Sequence, residues 1–385
     1  MSNYSKWVAC WGNAMSIREQ TEVRYAKDLT LRYPVRMCFD GCALRFHFSN
    51  LRGTESVTIR ASLARTVDLE GIDPDTAVPI LFSGNDRIVL EPGQDACSDE
   101  TAFDVKRGEY ITVSIFLEGY TDMNTGVLIT GPLTHGWYSY GNHMTDAELP
   151  LDLTRRTGWF HFLETIDVLT EEKNRALICY GDSITAQDWP DYLAIRADEL
   201  GYHDVSIIRR AISGTRILRE YSSITYAAYG WKGEHRFERE MKTAGADTVL
   251  IQHGINDIIH PVGVESNPFR PWSDLPTAAE MAEGYDEIYI RHAREIGYKV
   301  YGGTLIPIHG WRTYAPFREE LKNDFNDWLR TTDLLDGCAD FDKAVRDPQK
   351  PEAFLPVYDS GDHLHPSKKG YARMAEAVPV ELLKK

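Results

Sequence analysis

The chain contains no apolar run approaching the ~18 consecutive residues a helix needs to cross a bilayer, so no membrane-spanning helix is expected. Positive charge is also scarce. With 42 Lys and Arg against 58 Asp and Glu, the formal net charge is −16, which argues against nucleic acid or an anionic membrane as partner and leaves neutral or cationic small molecules open. The six cysteines (Cys10, Cys38, Cys42, Cys97, Cys179 and Cys338) include no CxxC pair, and nothing near Cys38 and Cys42 supplies further ligands. Neither a metal site nor a disulfide framework is expected, and all six read as free thiols of a reducing compartment. The N-terminus, Met1-Ser-Asn-Tyr-Ser-Lys-Trp7, lacks the apolar core of a secretory signal, so the expected location is cytoplasmic. No internal repeat or low-complexity stretch is present.

What the chain does have is an ordinary globular composition, 43% hydrophobic and 26% charged, at a length of 385 residues. A single core usually stops growing at ~250 to 300 residues, so two domains are expected. The character of the chain changes near residue 170. Before it come short period-two runs, Ala43 to Phe48, Val57 to Leu63, Ile88 to Leu90 and Tyr110 to Leu117, separated by turns such as Ser83-Gly-Asn-Asp86 and Glu91-Pro-Gly-Gln94. These predict an antiparallel β-sandwich of the jelly-roll kind over residues 1–168. Trp159 to Val168 reads as its last strand or as the joint between the two domains.

Over residues 169–385 apolar strands (Arg175 to Tyr180, Val205 to Ile208, Thr248 to Gln252, Lys299 to Tyr301) alternate with helical patterns (Tyr192 to Leu200, Ala278 to Ile296, Phe317 to Thr331, Tyr371 to Val378). That rhythm predicts an α/β domain, a parallel sheet covered by helices on both faces.

The first of those strands, in Ala176-Leu-Ile-Cys-Tyr-Gly-Asp-Ser-Ile-Thr185, stops at a glycine and leaves a hydroxyl at its tip. Taken alone, Asp182 or Ser183 is compatible with no more than a helix cap. Three further loops fall at the same sheet edge, where open α/β sheets bind their ligands. Arg209-Arg-Ala-Ile-Ser-Gly-Thr215 supplies Gly214, His253-Gly-Ile-Asn-Asp257 supplies Gly254 and Asn256, and Asp359-Ser-Gly-Asp-His-Leu-His-Pro366 supplies Asp362 and His365. This set suits acyl transfer. A serine hydroxyl needs a base to take its proton, histidine titrates in the working range, and a carboxylate on its other ring nitrogen fixes the tautomer. The backbone N–H groups of Ser183 and Gly214 and the side-chain amide of Asn256 would form an oxyanion hole. His363 competes with His365 as base, and Asp359, Asp340 and Asp342 compete with Asp362 as its orienter. His253 and His260 are expected to flank the pocket without titrating.

In order and spacing, Gly181-Asp-Ser183, the Gly214 loop, Gly254-Ile-Asn256 and Asp362-His-Leu-His365 resemble the four blocks of the SGNH (GDSL-type) hydrolase superfamily, over residues 171 to 385. The resemblance implies a flavodoxin-like three-layer α/β/α domain and a serine esterase without cofactor or metal. It also selects His365 over His363. Ile184 stands where the family usually has Leu. The first half is similar to the front domain of two-domain bacterial GDSL proteins, on softer cues such as Trp7-Val-Ala-Cys-Trp11.

For substrate contact the candidates are Asp182, Gly254, Trp189, Trp272 and Trp311. The three tryptophans offer flat surfaces to a sugar ring, and a loop with four prolines, from Ile258 to Pro276, is long enough to wall a pocket. No aliphatic run in those loops suits a long acyl chain. The expected substrate is a small acylated sugar or oligosaccharide, deacetylated through an acyl-enzyme. A short-chain lipase or acyl-thioester hydrolase is the enzymatic alternative, and a carbohydrate-binding protein with a vestigial hydrolase domain is the alternative of another class.

Overall fold

Two antiparallel sheets arise from the alternating runs of the first half. The computed structural model describes residues 4–17, 25–221, 229–262 and 271–384, and among these the chain divides into two compact units: residues 1–176 with 203–208, and residues 177–202 with 209–385. In the first unit one sheet runs in the order Tyr4–Gly12, Leu163–Glu171, Gly41–Ser49, Asp95–Cys97, with Thr101–Val105 also on Gly41–Ser49. The other runs Thr154–Arg156, Trp137–Tyr140, Tyr25–Arg36, Tyr110–Asp122, Val57–Thr66, Ile72–Ile80, with Ile88–Leu90 on Val57–Thr66. Leu44, Phe46 and Phe48 of the first sheet and Leu31, Tyr33 and Val35 of the second are buried, as period-two patterning requires of a β-sandwich.

The boundary at 168/169 falls inside the strand Leu163–Glu171, which pairs with Tyr4–Gly12 (Val8 opposite Val168), so residues beyond 168 still belong to the sandwich. Tyr110 to Leu117 is buried on both faces from Ile111 onward, although its pattern alternates. The polar face is covered too, and Arg32 on the neighbouring strand explains how. Its guanidinium, fully buried, donates to the carbonyl oxygens of Glu70 (2.9 Å), His143 (2.8 Å) and Asp146 (2.8 Å), tying an irregular segment over that face.

The second architecture is a five-stranded sheet: β1 (Arg175–Gly181), β2 (Val205–Ala211), β3 (Ala246–Gln252), β4 (Lys299–Gly303) and β5 (Gly337–Ala339). Their spatial order is β2-β1-β3-β4-β5, the flavodoxin-like order, with β3–β4 and β4–β5 parallel. Every residue of β1 is buried, as expected of a central strand with helices on both faces. The predicted helix over Ala278 to Ile296 is interrupted: helix Ala278–Tyr285, opened by a Thr277/Glu280 capping box, passes through a π-helical turn at Asp286–Ile290 into Arg291–Glu295. Strand β5, three residues long, and helix Gly233–Met241 lie outside the expected strands and helices. No helix among the described residues is long and apolar enough to cross a membrane.

Candidate active site

Strand β1 delivers the candidate nucleophile through a turn that only glycine can make. A Cβ on Gly181 would lie 2.4 Å from the carbonyl oxygen of Gln252 on β3. Asp182 then caps the short helix Ser183–Ala186, its Oδ1 accepting the Ile184 N–H at 3.0 Å. Ser183 stands at the first helical position with its Oγ 2.9 Å from His365 Nε2.

His365 Nδ1 lies 2.7 Å from Asp362 Oδ2, while Asp362 Oδ1 accepts the backbone N–H groups of Leu364 (2.9 Å) and His365 (2.8 Å). One tight turn thus presents both residues. Partial burial would raise the Asp362 carboxyl, but the hydrogen bonds from the His365 ring and these two N–H groups outweigh it and hold the acid well below the usual carboxylate range. It stays ionised at any pH where the protein would work. The competing groups are engaged elsewhere: His363 Nδ1 with Asp359 (2.5 Å), Asp340 with Arg330 (2.9 Å), and Asp342 with Arg330 (2.7 Å) and Arg346 (3.0 Å).

Gly214 adopts φ +81°, and the ring of Tyr229 packs where its Cβ would be, at 2.2 Å. Neither the Ser183 N–H nor the Gly214 N–H has an acceptor among the described residues. Asn256 is buried, and its Nδ2 donates to the Thr215 carbonyl at 3.1 Å, which joins the third block to the second. The rings of Tyr221, Tyr229 and His260 form a cluster around this loop, with the Tyr221 hydroxyl donating to the Gly214 carbonyl at 2.6 Å.

Two buried charges that sequence reasoning missed hold these pieces in register. Arg236 donates to the Gly181 carbonyl (3.2 Å), Thr215 Oγ1 (2.9 Å) and the Arg210 carbonyl (3.1 Å), and is neutralised by Glu240 (2.8 Å). It bridges the serine turn and the Gly214 loop. Asp257 accepts the N–H groups of Ile217 (2.7 Å) and Leu218 (3.1 Å), and burial pushes its carboxyl up to about 6. Asp257 follows the Gly-Ile-Asn block directly, so its position was the available signal. Arg236 had none, because an i,i+4 Arg–Glu pair reads as a solvated helix face.

Several expected substrate contacts are corrected. Trp189 is fully buried, with its indole N–H donating to Thr185 Oγ1 (3.3 Å) and its ring against Phe341, so it has no face for a ligand. Asp182 is fully buried as the cap, and burial raises its carboxyl to about 7. Gly254 faces Met281 and Ile217 in the packed interior. His253 does not flank a pocket either: it is fully buried between Tyr289 (2.8 Å) and Thr215 (2.9 Å), and burial lowers it to about 3. Trp311 does approach the site, its ring 6.5 Å from that of His365, edge to face. Trp272 is exposed and packs on Phe317. Residues 263–270 of the proline-containing loop, Pro268 included, lie outside the described residues. The described residues contain no cluster of three groups able to hold a metal ion.

The profile described as the GDSL-like lipase/acylhydrolase family matches residues 179–373. Among solved structures the chain is similar to an acetyl xylan esterase from Geobacillus stearothermophilus, with 17% identity over 55% of this chain and 97% of that one and a TM-score of 0.39. It is also similar to a family two carbohydrate esterase from Clostridium thermocellum, with 13% identity over 98% of this chain and 93% of that one and a TM-score of 0.35. An α/β hydrolase from the metagenome of Lake Arreo, Spain, shows 16% identity over 54% and 94% and a TM-score of 0.40. No curated protein matches the chain.

Proposed function

The chain belongs to the GDSL-like lipase/acylhydrolase family, and from that premise we propose that this carboxylic ester hydrolase uses Ser183 to remove O-acetyl groups from a carbohydrate. The observation that carries the reading is the relay Ser183 Oγ to His365 Nε2 at 2.9 Å and His365 Nδ1 to Asp362 Oδ2 at 2.7 Å. His365 takes the serine proton as Oγ attacks the ester carbonyl, and Asp362 stabilises the imidazolium. The oxyanion is met by the N–H groups of Ser183 and Gly214 and by the Asn256 amide. His365 then gives its proton to the departing alcohol, and water hydrolyses the acyl-serine by the same steps in reverse.

A short acyl group is supported by the aromatic side chains of Tyr221, Tyr229 and His260, which crowd the oxyanion loop. A carbohydrate acceptor is supported by Trp311 beside His365, a flat apolar face next to the group that protonates the alcohol. Ser183→Ala should lower acetate release from p-nitrophenyl acetate on the order of 10⁶-fold. Wild-type turnover in that variant sinks the mechanism, and an activity optimum at octanoyl or longer esters sinks the acetyl reading.

A further inference from the structure

We infer that the sugar released by this enzyme carries a carboxylate, as a uronic acid does, and that Arg312 binds it; the inference rests on the O-acetyl carbohydrate esterase reading above. The direction of proton transfer fixes where the sugar lies. The departing oxygen must receive the proton of His365 Nε2, so the acceptor sits against the His365 ring and away from the donors that hold the acyl oxygen. Trp311 lies beside that ring, 6.5 Å from it at 86°, and is the aromatic side chain that an acceptor there would meet. The Arg312 guanidinium stacks over Trp311, 4.7 Å from its ring, and so lies no further from His365 than those two distances together.

Arg312 is exposed and has no carboxylate at ion-pair distance among the described residues. Exposed Lys350 lies near the same loop, its Nζ 3.2 Å from His309 Nε2. The loop is held in place by the His309 N–H, which donates to the Glu352 carbonyl at 3.1 Å, and by the ring of His363, which packs on Gly310. The protein carries a net charge of −16, and Asp362 and Asp359 stand on the same side of the fold, paired with His365 and His363, so Arg312 is the cation on this loop left open to an anion. A planar guanidinium stacked on one face of an indole is held in place and suits a carboxylate carried by the sugar, which its fork can engage bidentately.

The test compares kcat/KM for 2-O- and 3-O-acetylated methyl glucuronoside, each as the free acid and as its neutral methyl ester, at low and high salt. A charge-assisted hydrogen bond at an exposed position predicts that wild type prefers the acid about tenfold at low salt and less at high salt. Arg312→Gln should bring the ratio near one, and Arg312→Lys should retain part of it. A wild-type ratio near or below one, or a ratio that survives Arg312→Gln, overturns the inference. The esterase reading fails separately, if Ser183→Ala leaves p-nitrophenyl acetate hydrolysis unchanged.

Discussion

Asp257→Asn separates a positioning role from a purely structural one. The carboxylate accepts two backbone N–H groups, from Ile217 and Leu218, just past the Gly214 turn. Compared with the protonated acid, whose hydroxyl oxygen can still accept, asparagine presents its NH₂ to one N–H, so one hydrogen bond is lost and two donors face each other, a cost of about 1–3 kcal/mol. Against this stands the carboxyl's own burial. Its value is raised to about 6 from an ordinary 3.8, so the folded state binds the proton more tightly than the unfolded chain does. The cost of the buried charge is absent below the unfolded value, grows as pH rises through that window, and levels off above about 6 at about 3 kcal/mol. Above pH 6 the asparagine relieves that cost while losing the hydrogen bond, and the two nearly cancel. The variant should therefore melt within a few degrees of wild type at pH 8 and fall progressively below it as pH drops through the window. Catalysis has no such compensation. A displaced Gly214 N–H removes transition-state stabilisation, so kcat on p-nitrophenyl acetate should fall on the order of 10²-fold with KM little changed. Thermal melts across pH and steady-state kinetics read both quantities. A variant with kcat within twofold of wild type refutes the positioning role, and a melting difference independent of pH refutes the electrostatic argument.

Asp362→Asn should lower kcat on the order of 10⁴-fold with an unchanged far-UV spectrum, because the amide no longer fixes the tautomer of His365 that leaves Nε2 free to accept a proton; activity within tenfold of wild type would refute the assignment. In the sandwich, Arg32→Met should lower the melting temperature, because three carbonyl oxygens lose their donor at about 1 kcal/mol each. A shift of less than a degree in calorimetry would mean that water replaces the guanidinium.

Much of the site was legible because its signals are local. An apolar run that ends in Gly181-Asp-Ser183 encodes its own turn, and Asp362 and His365 are close enough for a single turn to present both. The alternation of strand and helix beyond residue 170 likewise encodes a parallel sheet, since each segment carries its own periodicity. Trp189 shows where local reading stops. Its spacing with Leu193 places it on the apolar face of a helix, and whether such a face meets core or ligand is not written in the helix itself.

The order of amino acids dictates which residue types stand at the ends of the strands, and hence the kind of chemistry open to the chain. The strand order, the burial of Asp182, Trp189 and His253, the place of Trp311 beside His365, and the roles of Arg236 and Asp257 emerge only once the chain is folded. The cause is range. Arg236 reaches the Gly181 carbonyl across 55 residues and Asp257 reaches Ile217 across 40, and a buried charge is identified only by the distant groups that make its burial tolerable.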